Sequence, residues 1–227
     1  MTVEEPESPD PGRAWPFGVL QTIVIILVCV LAAGAIGWQL GGRDDPETFN
    51  DADAGFLEDM SVHHNGAVTM GLEYLARAND PVVTHFAREI VTTQSAEMAV
   101  MSLLIDDAGQ PDVATNGIAM EWMGEPMDPA EMPGMATAAE FAELQAATGL
   151  TADEVFTRLM IRHHEAGIAM AKRAAAESEN PRVRRLARTM ATVQRYEIDE
   201  MNRRRTALGL GAVDASAVAD DHAMHHG

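Results

Sequence analysis

The sequence contains an internal repeat with a period of 100 residues. Residues 56–109 align without a gap on residues 156–209, and fifteen of the 54 aligned pairs are identical. The identical pairs include two adjacent histidines, a proline, a glutamate and several methionines. A duplication of this kind indicates that one supersecondary unit is used twice, so we expect two similar halves of one fold.

Each copy has the pattern of a helical hairpin. Asp80-Pro81 in the first copy and Asn180-Pro181 in the second place a capping side chain before a proline at the first helical position. These pairs predict the start of the second helix of each hairpin. In the second copy, Thr151 and Glu154 have the spacing of a capping box, which predicts the start of the first helix.

The apolar spacing and these signals predict four long helices. Gly109 and Gly209 lie where the second helix of each hairpin should end. No alternation of apolar and polar residues typical of strands competes with this interpretation. Two hairpins with matching apolar faces should pack as an all-α four-helix bundle with an internal pseudo-twofold axis. The predicted helices cover residues 53–77, 81–107, 152–177 and 181–207.

The segments outside the repeat differ from it in composition. The first residues are rich in Pro, Glu and Asp and are predicted to be disordered. The segment between the copies holds five methionines among prolines and glycines, with one short helical stretch near residues 138–147, so we expect a crossover rather than a second domain. The predicted division is a disordered tail (1–14), a membrane anchor (15–42), a bundle domain (45–211) with hairpins 53–109 and 152–209 and a crossover 110–150, and a flexible His/Met tail (212–227).

An apolar stretch near the N-terminus predicts a transmembrane helix. Trp15 and Trp38 lie 23 residues apart, which is about 35 Å of helix and places the two indoles near the two membrane interfaces. A cleaved signal peptide is the alternative, because Ala33-Gly34-Ala35 resembles a cleavage site. We expect a single-pass protein of the cell membrane with an extracytoplasmic C-terminal domain, because an N-terminal anchor usually exports the domain that follows and this domain lacks cysteine.

The charge and the residue inventory exclude several classes of protein. The chain has 35 acidic and 16 basic residues, a net charge of −19, which opposes nucleic-acid binding because phosphate affinity needs clustered cations. The single cysteine, Cys29, cannot form an intramolecular disulfide or a cysteine-based zinc site. The only lysine follows Ala171, so the sequence has no P-loop. A metal ion would have to be bound by His, Met or carboxylate side chains.

Residues of these types recur on one face of each predicted hairpin. The first helix of each copy carries two adjacent histidines and two methionines within one face at 100° per residue. The second helix carries a glutamate and a methionine at a similar height, since His63 precedes Pro81 by 18 residues and Glu97 follows it by 16. The candidate metal ligands are Met60, His63, His64, Met70, Glu97, Met101, Met160, His163, His164, Met170, Glu197 and Met201.

Repetition favours metal binding over simple core packing. A lone buried histidine is usually a core residue with a hydrogen-bonding partner, and methionines usually fill gaps between apolar side chains. Two adjacent histidines that face a glutamate in each of two copies are costly to bury unless they have partners, and a metal ion supplies one. The glutamates have an alternative role in orienting the imidazoles. Because each hairpin offers imidazole, thioether and carboxylate groups at one height, we expect two separate sites.

The ligand types favour copper. Thioether and imidazole groups without a thiolate favour copper, as Cu(I) or Cu(II) and especially as Cu(I). Zinc prefers cysteine, histidine and carboxylate ligands, and di-iron bundles use Glu-x-x-His motifs, which this chain does not contain. Zinc and iron are therefore the less favoured metals.

The motifs resemble a known family. The pattern F-x-x-x-M-x-x-H-H-x-x-x-x-x-M, followed by a proline-started helix with Q-x-x-E-x-x-x-M, occurs in both copies and resembles the domain-of-unknown-function family 305 (DUF305). The resemblance implies a ferritin-like helical bundle, and CopM-type members of that family are exported copper-binding proteins linked to copper resistance. It also implies that the candidate ligands bind copper here. Asp59 corresponds to Leu159 and Gly66 to Ala166, so we expect the two sites to be unequal.

These inferences predict a membrane-anchored, extracytoplasmic protein that sequesters copper, confers resistance or transfers the ion, without catalytic turnover. Two alternatives stay open. A ferritin-like metal-dependent oxidase would need an open coordination position and a path for a substrate or dioxygen. An accessory structural subunit of a membrane complex would use the His-Met face for packing. The expected partners are a metal ion, the membrane through the N-terminal helix, and a second copy or a copper-handling protein.

Overall fold

The computed structural model describes residues 48–109 and 117–214. These residues form no strand, and their only pairing of that type is a single bridge between Ala119 and Met127. The all-α prediction is confirmed, and the four long helices begin and end within two residues of the predicted bounds. The helices are α1 (Asp51–Leu75), α2 (Pro81–Asp107), α3 (Ala138–Ala146), α4 (Leu150–Glu177) and α5 (Pro181–Ala207), with 3-10 turns at Glu121–Met123 and Pro129–Glu131.

The predicted membrane span at residues 15–42 lies outside the described residues. So do the predicted N-terminal tail and the predicted C-terminal tail from residue 215 onward. Among the residues that the structure describes, no helix combines the length and the apolar character needed to cross a membrane.

The signals predicted at the ends of α2 and α5 are confirmed. The side chains of Asp80 and Asn180 each accept hydrogen bonds from two N–H groups of the first helical turn, at distances from 2.9 to 3.4 Å. Both helices have a proline in this turn. Gly109 and Gly209 follow the helices with φ values of +69° and +76°, a left-handed conformation that glycine adopts without steric cost.

The capping box predicted for Thr151 and Glu154 is wrong. Helix α4 begins at Leu150 with Gly149 as its N-cap residue, and no side chain caps it. The helix therefore starts two residues earlier than this spacing requires. The Glu154 carboxylate instead accepts a hydrogen bond from Arg205 at 3.3 Å and ties α4 to α5.

Two aspartates that the sequence analysis did not single out join the two hairpins. Asp53, at the start of α1, accepts the N–H groups of Glu179 and Asn180 in the turn of the second hairpin, each at 3.1 Å. Asp153, at the start of α4, accepts the N–H group of Asp80 in the turn of the first hairpin at 3.1 Å. Both aspartates are fully buried. Each hairpin thus caps the turn of the other, as a pseudo-twofold relation requires.

The hairpins meet mainly through their first helices. Helix α1 packs on α2 and α4 packs on α5, while the largest contact between the hairpins is that of α1 with α4. Phe56 and Phe156 are fully buried, and the Tyr74 ring stacks on Phe156 with centroids 4.5 Å apart. Since α1 and α4 carry the histidine pairs, this contact brings the polar faces of the two copies together inside the bundle.

The crossover folds against the first hairpin. Asp59 of α1 accepts hydrogen bonds from the backbone N–H of Met120 and the indole N–H of Trp122, both at 2.8 Å. The indole also packs edge-on against Phe56, with centroids 6.1 Å apart. It lies against the backbone of Gly55, where a Cβ atom would be only 2.6 Å from the indole Cγ. Glycine is therefore required at this position of α1.

Candidate functional site

The predicted ligands lie in the interior of the bundle. Eleven of the twelve are buried, and Glu197 is partly exposed. The four histidines of α1 and α4 have no exposed surface at all. We refer to His63, His64, His163 and His164 as the histidine cluster.

Each hairpin contains one of the predicted histidine–glutamate pairs. His64 Nε2 lies 2.7 Å from a carboxylate oxygen of Glu97, and His164 Nε2 lies 2.8 Å from a carboxylate oxygen of Glu197. The histidine and the glutamate of each pair lie at a similar height on neighbouring helices, and their side chains are in contact, as the sequence predicts. A carboxylate oxygen accepts a hydrogen bond, so the proton of each imidazole is on Nε2.

The first histidine of each pair meets its counterpart across the interface between the hairpins. The rings of His63 and His163 stack with centroids 3.7 Å apart and an interplanar angle of 30°. His163 Nε2 donates to the backbone carbonyl of His63 at 2.9 Å, and His63 Nε2 donates to the carbonyl of Pro133 in the crossover at 3.2 Å. The two histidine pairs, which we expected to lie apart in two separate sites, therefore adjoin in one cluster, because α1 packs on α4.

The Nδ1 atoms of all four imidazoles have no hydrogen-bond partner among the described residues, although all four are buried. Every Nε2 atom, in contrast, contacts an oxygen that can only accept a hydrogen bond. Each ring in its neutral form therefore carries its proton on Nε2 and its lone pair on Nδ1. An imidazole whose distal N–H is held by an oxygen acceptor is in the form that ligates metals.

Burial keeps the two stacked histidines neutral. It lowers the pKa of His63 to about 3, with a further contribution from His64 nearby. The pKa of His163 is also well below its ordinary value because of burial and the proximity of His63. At neutral pH no proton occupies the lone pairs of these two rings, so the nitrogen atoms are free for another electrophile.

Four fully buried thioethers accompany the cluster. Met60 and Met160 precede the histidines by one helical turn on α1 and α4, and Met101 and Met201 follow the glutamates by one turn on α2 and α5. In residues 48–109 and 117–214, no three side chains of the types His, Cys, Asp and Glu converge into a metal site. Thioether sulfur is a donor that soft ions such as Cu(I) accept.

Gln94 and Gln194 are buried polar residues to which the sequence analysis assigned no role. They are 3% and 2% exposed, and neither amide group has a hydrogen-bond partner within the described part of the chain. The Gln194 oxygen fills the space that a Cβ atom on Gly167 would take, one helical turn after His164. The signal that could have identified both amides is their recurrence in the repeat. Asp53 and Asp153 also recur with a spacing of 100 residues, three residues before each aligned segment begins.

Solved structures of several proteins are similar to this chain. A DUF305 protein from Streptomyces coelicolor, itself predicted to be secreted, is 36% identical with a TM-score of 0.64, over 72% of this chain and 97% of that one. A DUF305 fragment from Deinococcus radiodurans is 33% identical with a TM-score of 0.57, over 67% and 94%. CopM in its Cu(I)-bound form is 25% identical with a TM-score of 0.51, over 69% and 96%.

No curated protein matches the sequence. The family model described as "Domain of unknown function (DUF305)" matches residues 53–205, which include both histidine pairs and the crossover between them. The resemblance inferred from the motifs is thereby confirmed, and the chain belongs to the DUF305 family.

Proposed function

We propose that this protein binds copper at the histidine cluster and its neighbouring thioethers, and stores or transfers the ion without catalytic turnover. The observation that carries the proposal is the set of four buried imidazoles, each with its Nε2 atom on an oxygen acceptor and its Nδ1 atom without a partner. A buried polar group without a partner costs about 1–3 kcal/mol, and this arrangement repeats that cost four times. An ion bound by the Nδ1 atom of any of these rings would offset the cost for that ring.

The chemistry of the side chains supports copper over harder metals. The fully buried sulfur atoms of Met60, Met101, Met160 and Met201 are soft donors, which favour Cu(I). The similarity to CopM, whose structure contains Cu(I), supports the same assignment. Because the pKa of His63 is about 3, protons do not compete for this ring at neutral pH, and ion uptake there requires no proton release.

An extracytoplasmic location attached to the membrane belongs to the same proposal. The predicted span over residues 15–42 and the secretion predicted for the Streptomyces relative support it. Protease treatment of intact spheroplasts should remove the helical domain from the full-length protein. Full protection of the domain would reverse the proposed orientation.

The test of copper binding is a competition titration of the full-length chain with Cu(I) and with Zn(II). We expect Cu(I) to bind more tightly than Zn(II), and His163→Gln to weaken Cu(I) binding. His85→Gln is the matched control, because His85 is half-buried and pairs with Glu89 at 3.1 Å on the outer side of α2. Both variants are made in a chain with His222, His225 and His226 replaced by Gln, so that the C-terminal histidines do not contribute.

The outcomes separate the alternatives. A preference for zinc, or no metal binding, would overturn the proposal. Equal losses in the His163 and His85 variants would show that the cluster is not the binding site. Dioxygen consumption by the copper-loaded protein would instead favour the oxidase, and stable association with a membrane complex without metal would favour the structural subunit.

A further inference from the structure

A short part of the crossover lies directly over the histidine cluster. The carbonyl of Pro133 accepts the hydrogen bond from His63 Nε2. At the next residue, Gly134, a Cβ atom would lie 2.9 Å from the Cα atom of His163 and 3.2 Å from the carbonyl oxygen of Arg162. Gly134 also has a φ value of +84°. The crossover therefore approaches the backbone of α4 as closely as a glycine allows.

This approach brings the Met135 side chain to the edge of the cluster. A Cβ atom on Gly66 would lie 2.9 Å from the Met135 sulfur and 3.6 Å from His163 Nε2. The thioether and the imidazole therefore border the same empty space beside α1. The second copy has Ala166 at the equivalent position, and that methyl group lies against Gly134 instead. Only the first copy leaves room for the sulfur.

The position of Met135 is fixed by the residue that precedes His163. Arg162 donates to the Met135 carbonyl at 3.3 Å and to the Glu140 carboxylate at 2.7 Å. The Arg162 guanidinium lowers the pKa of Glu140 to about 2, so this ion pair stays charged at physiological pH. Glu140 also caps the start of α3 by bonding to Thr137. The backbone around Met135 is thus held both by the hydrogen bond to the Met135 carbonyl and by the ion pair to the helix that follows.

Met135 differs in burial from the methionines around it. Met132 and the predicted methionine ligands on the helices are buried, whereas Met135 is only half-buried. Met135 therefore has exposed surface, while its sulfur borders the same space as the fully buried His163 imidazole. Among these methionines it is the one that combines contact with solvent and proximity to the cluster.

We propose that Met135 is the entry ligand of the site. Its sulfur takes a soft monovalent ion, such as Cu(I), from solution and passes it to the histidine cluster. In this exchange the bond from the metal to the Met135 sulfur breaks as a bond forms to the Nδ1 lone pair of His163, the ring whose Nε2 borders the same space, and the oxidation state does not change. The Nε2 proton of His163 stays in its hydrogen bond to the carbonyl of His63, so no proton is displaced. The proposal rests on the copper-binding function proposed above.

The test compares uptake rates and stoichiometry in the full-length chain. The Cu(I) complex of a coloured bidentate chelator is mixed with the protein, and the loss of colour is followed in a stopped-flow instrument. Met135→Leu keeps the approximate side-chain volume and removes the sulfur. We expect it to slow uptake about tenfold while leaving the final stoichiometry unchanged. Met127→Leu is the control, since Met127 is another partly exposed crossover methionine and pairs through its backbone with Ala119.

A second variant displaces the sulfur without removing it. Gly66→Ala places a methyl group where the end of the Met135 side chain now lies, and that flexible end can rotate outward, so the fold should persist. We expect the same slow uptake as in Met135→Leu. If both variants take up Cu(I) at the wild-type rate, or if Met127→Leu is slowed equally, Met135 is not the entry ligand. If the wild-type protein binds no Cu(I), the proposed function itself has failed.

Discussion

The two hairpins carry the same chemistry toward the interior but differ where the crossover lies. His63, His64 and Glu97 have identical counterparts 100 residues later, and both hairpins hold their second histidine on a glutamate. In contrast, Asp59 corresponds to Leu159 and Gly55 to Val155. The comparison shows that the duplication supplies a symmetric centre, while the crossover makes different contacts with the two copies.

Three departures from symmetry on α1 have a partner in the crossover. Gly55 makes room for Trp122, and Asp59 accepts its indole N–H group. Gly66 makes room for Met135. The corresponding Val155 and Leu159 of α4 are fully buried apolar residues of the bundle core. The differences between the copies at these three positions are therefore explained by contacts with the crossover, although a comparison of the copies alone would treat them as random substitutions.

The largest effect should come from removing either histidine pair. His63→Gln with His64→Gln, and separately His163→Gln with His164→Gln, should each abolish most copper binding, because His63 and His163 stack in one cluster. Glutamine keeps a polar side chain in the core, and thermal melts of both variants check the fold. Equilibrium dialysis gives the copper content. Two independent sites would instead lose about half in each variant, near-additively.

The pH dependence of stability should show opposite contributions from two buried histidines and two partly buried glutamates. Below pH 6.5 the unfolded chain protonates His63 and His163 while the folded chain does not, so the free energy of unfolding falls as the pH falls. Glu58 and Glu89 have the opposite effect. Burial raises the pKa of both to about 7, with help from Asp59 and Glu197 respectively, so between pH 7 and pH 4.5 the folded chain takes up their protons first.

The two effects oppose each other between pH 6.5 and 4.5, so the metal-free protein should change little in stability there and lose it steeply below pH 4.5. Denaturant unfolding at a series of pH values measures this. Glu58→Gln with Glu89→Gln removes the compensation, and the loss should then begin at pH 6.5 with a slope of up to about 1.4 kcal/mol per pH unit for each histidine. An unchanged plateau in the double variant would contradict this account.

Most helix ends could be predicted from the sequence, whereas the start of α4 and the pairing of the hairpins could not. Asp80, Asn180 and the terminal glycines act on their own helices, so their spacing was enough to identify the helix ends. Whether His63 meets His163 depends on which helices face each other across the bundle. Matching the heights of residues within one hairpin does not predict the contacts between the two hairpins. It therefore led to the expectation of two separate sites.

The contacts of the crossover could not be predicted from the periodicity of the sequence either. Residues from Met120 to Met135 have no helical or strand-like spacing, and they are positioned by single contacts with Asp59, His63 and Arg162. Such contacts leave no pattern in the sequence around them. The sequence shows that Asp59 and Gly66 have different counterparts in the second copy, but it does not show that both contact the crossover.

Asp59 allows a direct test of the contacts between the crossover and the first copy. Asp59→Leu introduces the residue of the second copy and removes the acceptor for two N–H groups, so it should lower the free energy of unfolding by about 2 kcal/mol. Asp59→Asn retains an oxygen acceptor and should cost about 0.5 kcal/mol. Denaturant unfolding and the fluorescence of Trp122 report the change. Equal effects of the two substitutions would mean that these hydrogen bonds do not hold the crossover.

A smaller effect than that of Asp59→Leu should come from the hydroxyl group of Tyr74, which has no counterpart in Ala174. It donates to Asp153 at 2.5 Å, while the ring stacks on Phe156, so Tyr74→Phe removes the hydrogen bond and keeps the packing. Asp153 retains the N–H group of Asp80, and the loss should be about 1 kcal/mol, or about 3 °C in Tm. Tyr196→Phe is the control on an exposed side chain. If the two variants melt alike, the reciprocal aspartates hold the hairpins equally well, and the extra hydroxyl of the first copy adds nothing to its side of the pair.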